Sequence, residues 1–258
     1  MSNIMQHFRQ AEHAFIQKGE EWIEQVQRQY SFVLTPFLNP REKYILHTLC
    51  HHYGVQFFSY SYIENSERAR CLIAPEYYVF NPEDFELSLL KVHYQQKFNT
   101  LTHSKVLGTL LGEGINRKYL GDIIVNQTGI YFETTKAVKE YLILNIQKMG
   151  KVPVQLVESQ EKTLCLQNDY SIENTTISSF RLDNIVATVY NISRQRAKEY
   201  IQKECVQVNY AIIAQPDFQI SCDDLISVRR YGRCYLTEID EQKTKKNRFR
   251  IQYAVIRK

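Results

Sequence analysis

Between residues 85 and 157 the chain switches repeatedly between two side-chain periodicities, and the order of those switches narrows the folds open to it. An apolar run rich in branched and aromatic side chains covers 85–94 and predicts a strand. Thr102 then stands at the cap of a helix reaching Leu111. Two further strands, 122–125 and 130–133, meet at the turn Asn126-Gln-Thr-Gly129. A helix over 134–149 is closed by Gly150, and a strand over 152–157 ends the run. The order β-α-β-β-α-β predicts two helices covering one face of an antiparallel sheet.

The flanks differ from this centre. Ile4, Phe8, Ala11, Phe15, Trp22 and Val26 fall at three-and-four spacing and predict one long amphipathic helix over 4–29. Asn39, Pro40 and Glu42 make a helix-start signature and Gly54 a stop. Aromatic and branched runs at 55–62 and 70–74, around Glu64-Asn-Ser-Glu67, predict a β-hairpin. We therefore expect an α+β chain with N-terminal helices and a hairpin (1–80), then a ferredoxin-like or RRM-like module (83–158). A polar linker with room for one strand (159–177) and a C-terminal module (178–258) follow. A chain of 258 residues, 44% of them hydrophobic, supplies cores of this size and excludes disorder.

The formal charge of +4 is too mild to mark a polyanion binder. Its distribution says more. Up to Ser179 there are 17 basic and 19 acidic side chains, whereas Phe180 to Lys258 holds 15 basic and 9 acidic ones. Polyanion binding is thus expected in the last third. Six cysteines, at 50, 71, 165, 205, 222 and 234, form no Cys-x-x-Cys, so neither a zinc ribbon nor a redox pair is expected. No signal peptide and no membrane-length apolar stretch is present, and the expectation is a cytoplasmic protein with reduced thiols.

In the last third, Leu182, Ile185, Val186 and Val189 form a helical stripe, and Ser193 caps a second helix through Lys203. Arg194 and Lys198 share one flank of that second helix, Arg196 and Lys203 the other. Strands are expected at 206–209, 219–220 and 225–230. The pattern is Arg181-Leu-Asp183, Ser193-Arg194 with Ala197, Val206-x-Val-Asn209, Pro216, Asp224-x-Ile226-x-Val228 and Gly232-Arg233. Over roughly 55 residues it resembles the S4 RNA-binding domain. Glu204, Tyr210 and Asp223 stand where that family usually has glycine, so looser turns are expected there. A helix N-terminus attracts phosphate, and Arg194 with Lys198 extends that site. Arg181, Arg229, Arg230 and Arg233 are expected to line the adjoining groove. The final strand sets Arg248, Arg250 and Gln252 against Phe249, Ile251, Tyr253 and Val255. Lys243, Lys245 and Lys246 form a basic turn that, taken alone, would be an ordinary solvated surface. Asp183 reads as a structural residue that caps a helix or pairs with an arginine.

In the middle module, Leu101-Thr-His103, Leu107-Gly-Thr-Leu-Leu-Gly112, Gly114-Ile115, Arg117-Lys118 and Gly121-Asp122 resemble the YlmH-type proteins of Gram-positive bacteria. Those proteins end in an S4 domain after an RRM-like module. Arg117 and Lys118 are either a second phosphate contact or a solvated helix end. Gly129-Ile-Tyr131-Phe132 is only a fragment of the RRM aromatic motif, so base stacking on this sheet is not expected. The only Gly-x-Gly, Gly112-Glu-Gly114, is followed by Arg117 where a nucleotide fingerprint has glycine, and no P-loop exists. His47, Cys50 and His51 lack a fourth ligand, and the two histidines lie opposite the buried stripe of Ile45, Leu46, Leu49 and Tyr53.

The resemblance implies a non-enzymatic factor without cofactor or metal that binds the large ribosomal subunit, touching ribosomal RNA and tRNA. It would be a monomer, off the membrane, and act in ribosome-associated quality control or the rescue of stalled translation. Two alternatives stay open. One is an RNA-modifying enzyme, such as a pseudouridine synthase, with S4 as a delivery domain; the other is a cell-division scaffold.

Overall fold

The computed structural model describes residues 8–161, 164–166, 170–222, 224–240 and 244–257. The predicted helix start at Ile4, Asp223 of the third glycine-like turn and Lys243 of the basic turn lie outside the described residues. No helix among the described residues is long and apolar enough to cross a membrane. The chain is α+β and divides into two compact units, Met1–Gln167 and Asn168–Lys258.

The first unit opens with α1 (His13–Gln29), reached through a single 3-10 turn at Gln10–Glu12 rather than by continuous helix. Its buried stripe is Ile16, Gly19, Ile23 and Val26, so the expected positions Phe15 and Trp22 sit half-buried on the flank. β1 (Val33–Leu38) leads to α2 (Pro40–Tyr53), whose start is the predicted capping box. Asn39 accepts from the Glu42 N–H at 2.9 Å, and Glu42 accepts from the Asn39 N–H at 2.8 Å. β2 (Gln56–Tyr60) and β4 (Ala69–Ala74) form the expected antiparallel pair, with β3 (Ile63–Glu64) in their connection. The sheet order is β1-β4-β2.

The centre of this unit contains β5 (Leu87–His93), α3 (His103–Gly112), β6 (Leu120–Asn126), β7 (Gly129–Thr135) and α4 (Lys136–Asn145). The short strands β8 (Lys148–Met149) and β9 (Val152–Pro153) precede β10 (Gln155–Glu158). The antiparallel sheet runs β10-β5-β7-β6, the strand order of a ferredoxin-like sandwich. One prediction is corrected here. The helix expected over 134–149 stops at Asn145, because Gly150, at φ +63°, turns a β8–β9 hairpin instead of ending a helix. A second correction concerns 159–177. β11 (Leu164–Cys165) pairs in parallel with β3, and β12 (Ser171–Ile177) is a full strand of the second unit, so the stretch, which contains the boundary between the units, holds two strands where one was expected.

The second unit continues with α5 (Leu182–Val189), α6 (Arg194–Gln202), β13 (Val206–Val208), β14 (Ala211–Ile212), β15 (Leu225–Val228), β16 (Gly232–Asp240) and β17 (Phe249–Arg257). Six antiparallel strands lie in the order β12-β17-β16-β15-β13-β14. Leu182, Ile185, Val186 and Val189 of α5, with Ala197 and Ile201 of α6, share one core with Val206, Ile226, Cys234, Leu236, Ile251 and Tyr253 of the strands. Both helices therefore cover one sheet face. The strand expected at 219–220 is only a single bridge between Gln219 and Arg181. At Gly232 (φ +124°) an added Cβ would lie 1.9 Å from the Ile256 carbonyl oxygen, so only glycine fits this strand start.

Candidate nucleic-acid interface

Arg181 is the N-cap residue of α5, and its side chain turns back on the helix it precedes. Its Nε and Nη2 donate to the Asp183 carboxylate at 3.2 and 3.1 Å. Arg194, the first residue of α6, donates to the same carboxylate at 3.1 Å while remaining 48% exposed. Asp183 itself is fully buried. Burial alone would raise its pKa, but the hydrogen bonds from Arg181 and Arg194 outweigh burial and hold it below the ordinary carboxylate range. One carboxylate thus joins two helices through two guanidiniums and leaves one positive charge uncompensated.

Ser193 caps α6 by accepting from the Arg196 N–H at 3.2 Å. With Ala197 and Ile201 buried, the helix turns Arg194, Arg196 and Lys198 to solvent, and Lys203 is its exposed C-cap. Glu199 is the acidic residue of this helix. Beyond its C-terminus the Arg229 N–H donates to the Cys205 carbonyl at 2.9 Å, which brings the exposed Arg229-Arg230 turn beside Lys203. Arg233 is half-buried and lines, with Arg229, Glu204 and Ser227, a groove of about 360 Å³. The cations of α6 therefore sit on its two flanks, Arg194 with Lys198 and Arg196 with Lys203, along about 13 Å of helix, with the Arg229-Arg230 turn beyond it. Glu204 (φ +56°) and Tyr210 (φ +67°) hold left-handed backbone where the resemblance expects glycine, so those turns are kept tight at some steric cost.

The remaining predicted cations do not join this group. β17 sends Ile251 and Tyr253 into the core, which puts Arg250 on the sheet face away from the helices. There Arg250 shares a groove of about 420 Å³ with Glu238 and Asp240, so the expected basic row is interleaved with carboxylates. Arg248 donates to the Thr176 carbonyl at 2.9 Å. Lys245 and Lys246 are exposed in the β16–β17 turn, at the opposite end of β16 from Arg229 and Arg230.

In the first unit, Arg117 donates to the Leu120 and Gly121 carbonyls, both at 2.8 Å, and fastens the turn into β6. Lys118 lies over the Tyr119 ring at 4.9 Å. Neither stands at a helix end; both belong to the 3-10 turn Arg117–Tyr119. The sheet face on which an RRM would stack bases is covered by this chain: Leu89, Ile124 and Tyr131 are buried against Ile63 of β3 and Leu164 of β11. Two carboxylates meet where β6 bulges against β7. Asp122 Oδ2 accepts the Glu67 and Arg68 N–H groups at 2.6 and 3.0 Å, and Glu133 accepts from Ser61 Oγ at 2.7 Å and from the Tyr62 N–H. Burial drives the Glu133 pKa up to about 8. Both side chains are buried and fasten the 61–68 loop. Among the described residues no three His, Cys, Asp or Glu side chains are grouped to hold a metal.

In the comparisons with known proteins, both family matches lie within the first unit. The family described as "YlmH, N-terminal" matches residues 11–78, and the one described as "Putative RNA-binding domain in YlmH" matches 81–163. The Ribosome-associated protein quality control protein P2 of Bacillus subtilis (strain 168) is 36% identical over 255 residues, 98% of each chain. The chain belongs to the YlmH family. The solved structure of the cell division protein ylmH from Streptococcus pneumoniae is also 36% identical. It has a TM-score of 0.53 and covers 59% of this chain and 93% of its own.

For a YlmH-family chain, the sequence pattern located α6 and its cations but missed two groups. The pairing of Asp122, visible alone in the Gly121-Asp122 motif, with Glu133 carries no local signal, because the two residues come together only once β6 and β7 are neighbours. Arg257 pairs with Glu173 and donates to the Val189 carbonyl at 3.1 Å, a link visible only once β12 and β17 are neighbours.

Proposed function

We propose that residues 168–258 of this YlmH-family chain form an S4-type RNA-binding domain. In this reading the chain binds the large ribosomal subunit, contacts ribosomal RNA and tRNA, and acts in the rescue of stalled translation. It works without catalysing a reaction and without a cofactor, as a monomer in the cytoplasm. The observation that carries the reading is the solvent face of α6, where Arg194, Arg196, Lys198 and Lys203 are held between the Asp183 clamp and the Arg229-Arg230 turn. A-form RNA is recognised by shape and backbone, which suits a rigid cationic rib with few base-reading groups. The left-handed turns at Glu204 and Tyr210 and the name of the Bacillus subtilis relative support it. So does the RNA-binding description of the family matched at 81–163.

The test is a salt series of full-chain binding to a folded large-subunit rRNA fragment and to tRNA. Replacing Arg196, Lys198 and Lys203 together by alanine is expected to make the slope of log affinity against log salt shallower by about two units. An unchanged slope takes α6 out of the interface and ends the reading. The name of the pneumococcal relative favours a second reading, a cell-division scaffold. Affinity purification with and without ribonuclease separates them, because only a ribosome-bound factor loses its partners when RNA is cut.

A further inference from the structure

One face of the first unit carries a connected set of partly exposed aromatic rings. Phe58 and Tyr60 of β2, on the face of the β1-β4-β2 sheet away from α1 and α2, continue into an unbroken ladder of rings. Phe32 meets Tyr78 at 5.6 Å between centroids, Tyr78 meets Phe58 at 5.5 Å, Phe58 meets Phe80 at 5.7 Å, and Phe80 meets Tyr60 at 6.0 Å. The ladder is open: Phe32 is 40% and Phe80 43% exposed, and the neighbouring Tyr77 and Val79 are 67% and 83% exposed. Large aromatic side chains left in water cost free energy, and a contiguous patch of them marks an interaction site.

The charge around the rings identifies the occupant. Residues 75–86 carry Glu76, Glu83, Asp84 and Glu86 and no lysine or arginine. Asp84 accepts from the Tyr78 hydroxyl at 2.8 Å, directly on the ladder. Glu83 is 3.0 Å from Lys136, with both side chains exposed. Glu86 is 3.9 Å from Arg70. A nucleic-acid strand stacking on these rings would bring its phosphates against that acidic rim. A second copy docked symmetrically would set two such rims face to face. Guanidinium groups satisfy both features at once, stacking on the rings and pairing with the carboxylates in the fork geometry that lysine lacks. We propose that this ladder is the docking surface for an arginine-bearing basic segment of a partner protein. The proposal does not rest on the α6 cations, which belong to the other unit.

The probe is a fluorescent peptide of alternating arginine and glycine, with its lysine counterpart as control, titrated into the full chain and read by anisotropy. The arginine peptide is expected to bind saturably and at least three-fold tighter than the lysine peptide. Glu76→Lys with Glu83→Lys, which removes no ring of the ladder, should weaken it ten-fold or more, and Phe80→Ser should do so about five-fold. The Arg196, Lys198 and Lys203 alanine variant should leave peptide affinity unchanged, and Glu76→Lys with Glu83→Lys should leave the RNA salt slope unchanged. Absence of saturable binding, or binding indifferent to both ladder variants, overturns the proposal. So does a ladder variant whose only effect is on RNA affinity, which would make the rings a base platform, or on self-association, which would make them a dimer face.

Discussion

Asp183 and Glu133 are both fully buried carboxylates, and the two units of the molecule handle them in opposite ways. In the C-terminal unit the charge is kept. Two guanidiniums reach Asp183 from the starts of α5 and α6 and overcome the cost of burial. In the N-terminal unit Glu133 receives a hydroxyl and an N–H group and makes no ion pair among the described residues, while Asp122 adds repulsion. It therefore keeps a proton instead of a counter-ion. The difference teaches what each carboxylate is for. Asp183 organises cations on a surface that has them in excess, whereas Glu133 fastens a loop where charge would be a burden.

The largest test of that contrast is Glu133→Gln, which mimics the protonated acid. The folded pKa is raised from 4.5 to about 8, so between those values the folded state holds a proton that the unfolded state has released. Glu133 then contributes stability that is fully present below about pH 4.5 and is lost as pH rises to about 8. Urea unfolding followed by Trp22, the single tryptophan, reports this unit. The substitution should flatten the decline and raise stability at pH 8 by about 2–4 kcal/mol. A variant with the same pH slope as the parent would show that Glu133 is already ionised in the fold.

Asp183→Asn probes the other half with an effect of about 2 kcal/mol on the C-terminal unit, since hydrogen bonds to charged groups are weakened and two arginines are left facing each other. Here the folded pKa is lowered, so the contribution is present above the unfolded value and is lost as pH falls through the folded one. The variant should therefore lose the acid-side part of the unfolding profile, the reverse of Glu133→Gln. RNA affinity discriminates further. If the clamp orients Arg181 and Arg194, affinity falls about three-fold although the net charge rises by one. A rise would make the arginines unorganised charge.

What the sequence disclosed follows the same physical line. Asn39-Pro40-Glu42, Ser193 and the β-α-β-β-α-β order are signals within a few residues of each other, and they were legible because capping and periodicity are local. Gly150 carries a local signal that fits two outcomes, since a left-handed glycine serves a hairpin as well as a helix end. β16 has no continuous alternation in sequence although Cys234 and Leu236 point inward, because its register shifts between Leu236 and Glu238 and breaks the pattern. Of the site, the α6 cations were legible from helical spacing. That Arg250 would stand among Glu238 and Asp240 was not, because strand neighbours are set by pairing across the sheet.

The smallest effect separates packing from charge within the N-terminal unit. Gly121 lies where an added Cβ would be 2.7 Å from Phe37 Cε1, 2.7 Å from Glu133 Cβ and 2.8 Å from Glu133 Oε2. Two of these three neighbours are carbon atoms, so Gly121→Ala should overpack the site by about 1 kcal/mol whatever the protonation state of Glu133. Urea midpoints at pH 5 and pH 8 should fall by equal amounts. A loss confined to pH 8 would mean that the space left by the missing Cβ is what lets Glu133 ionise at all, and the glycine would then belong to the proton's environment and not only to the packing.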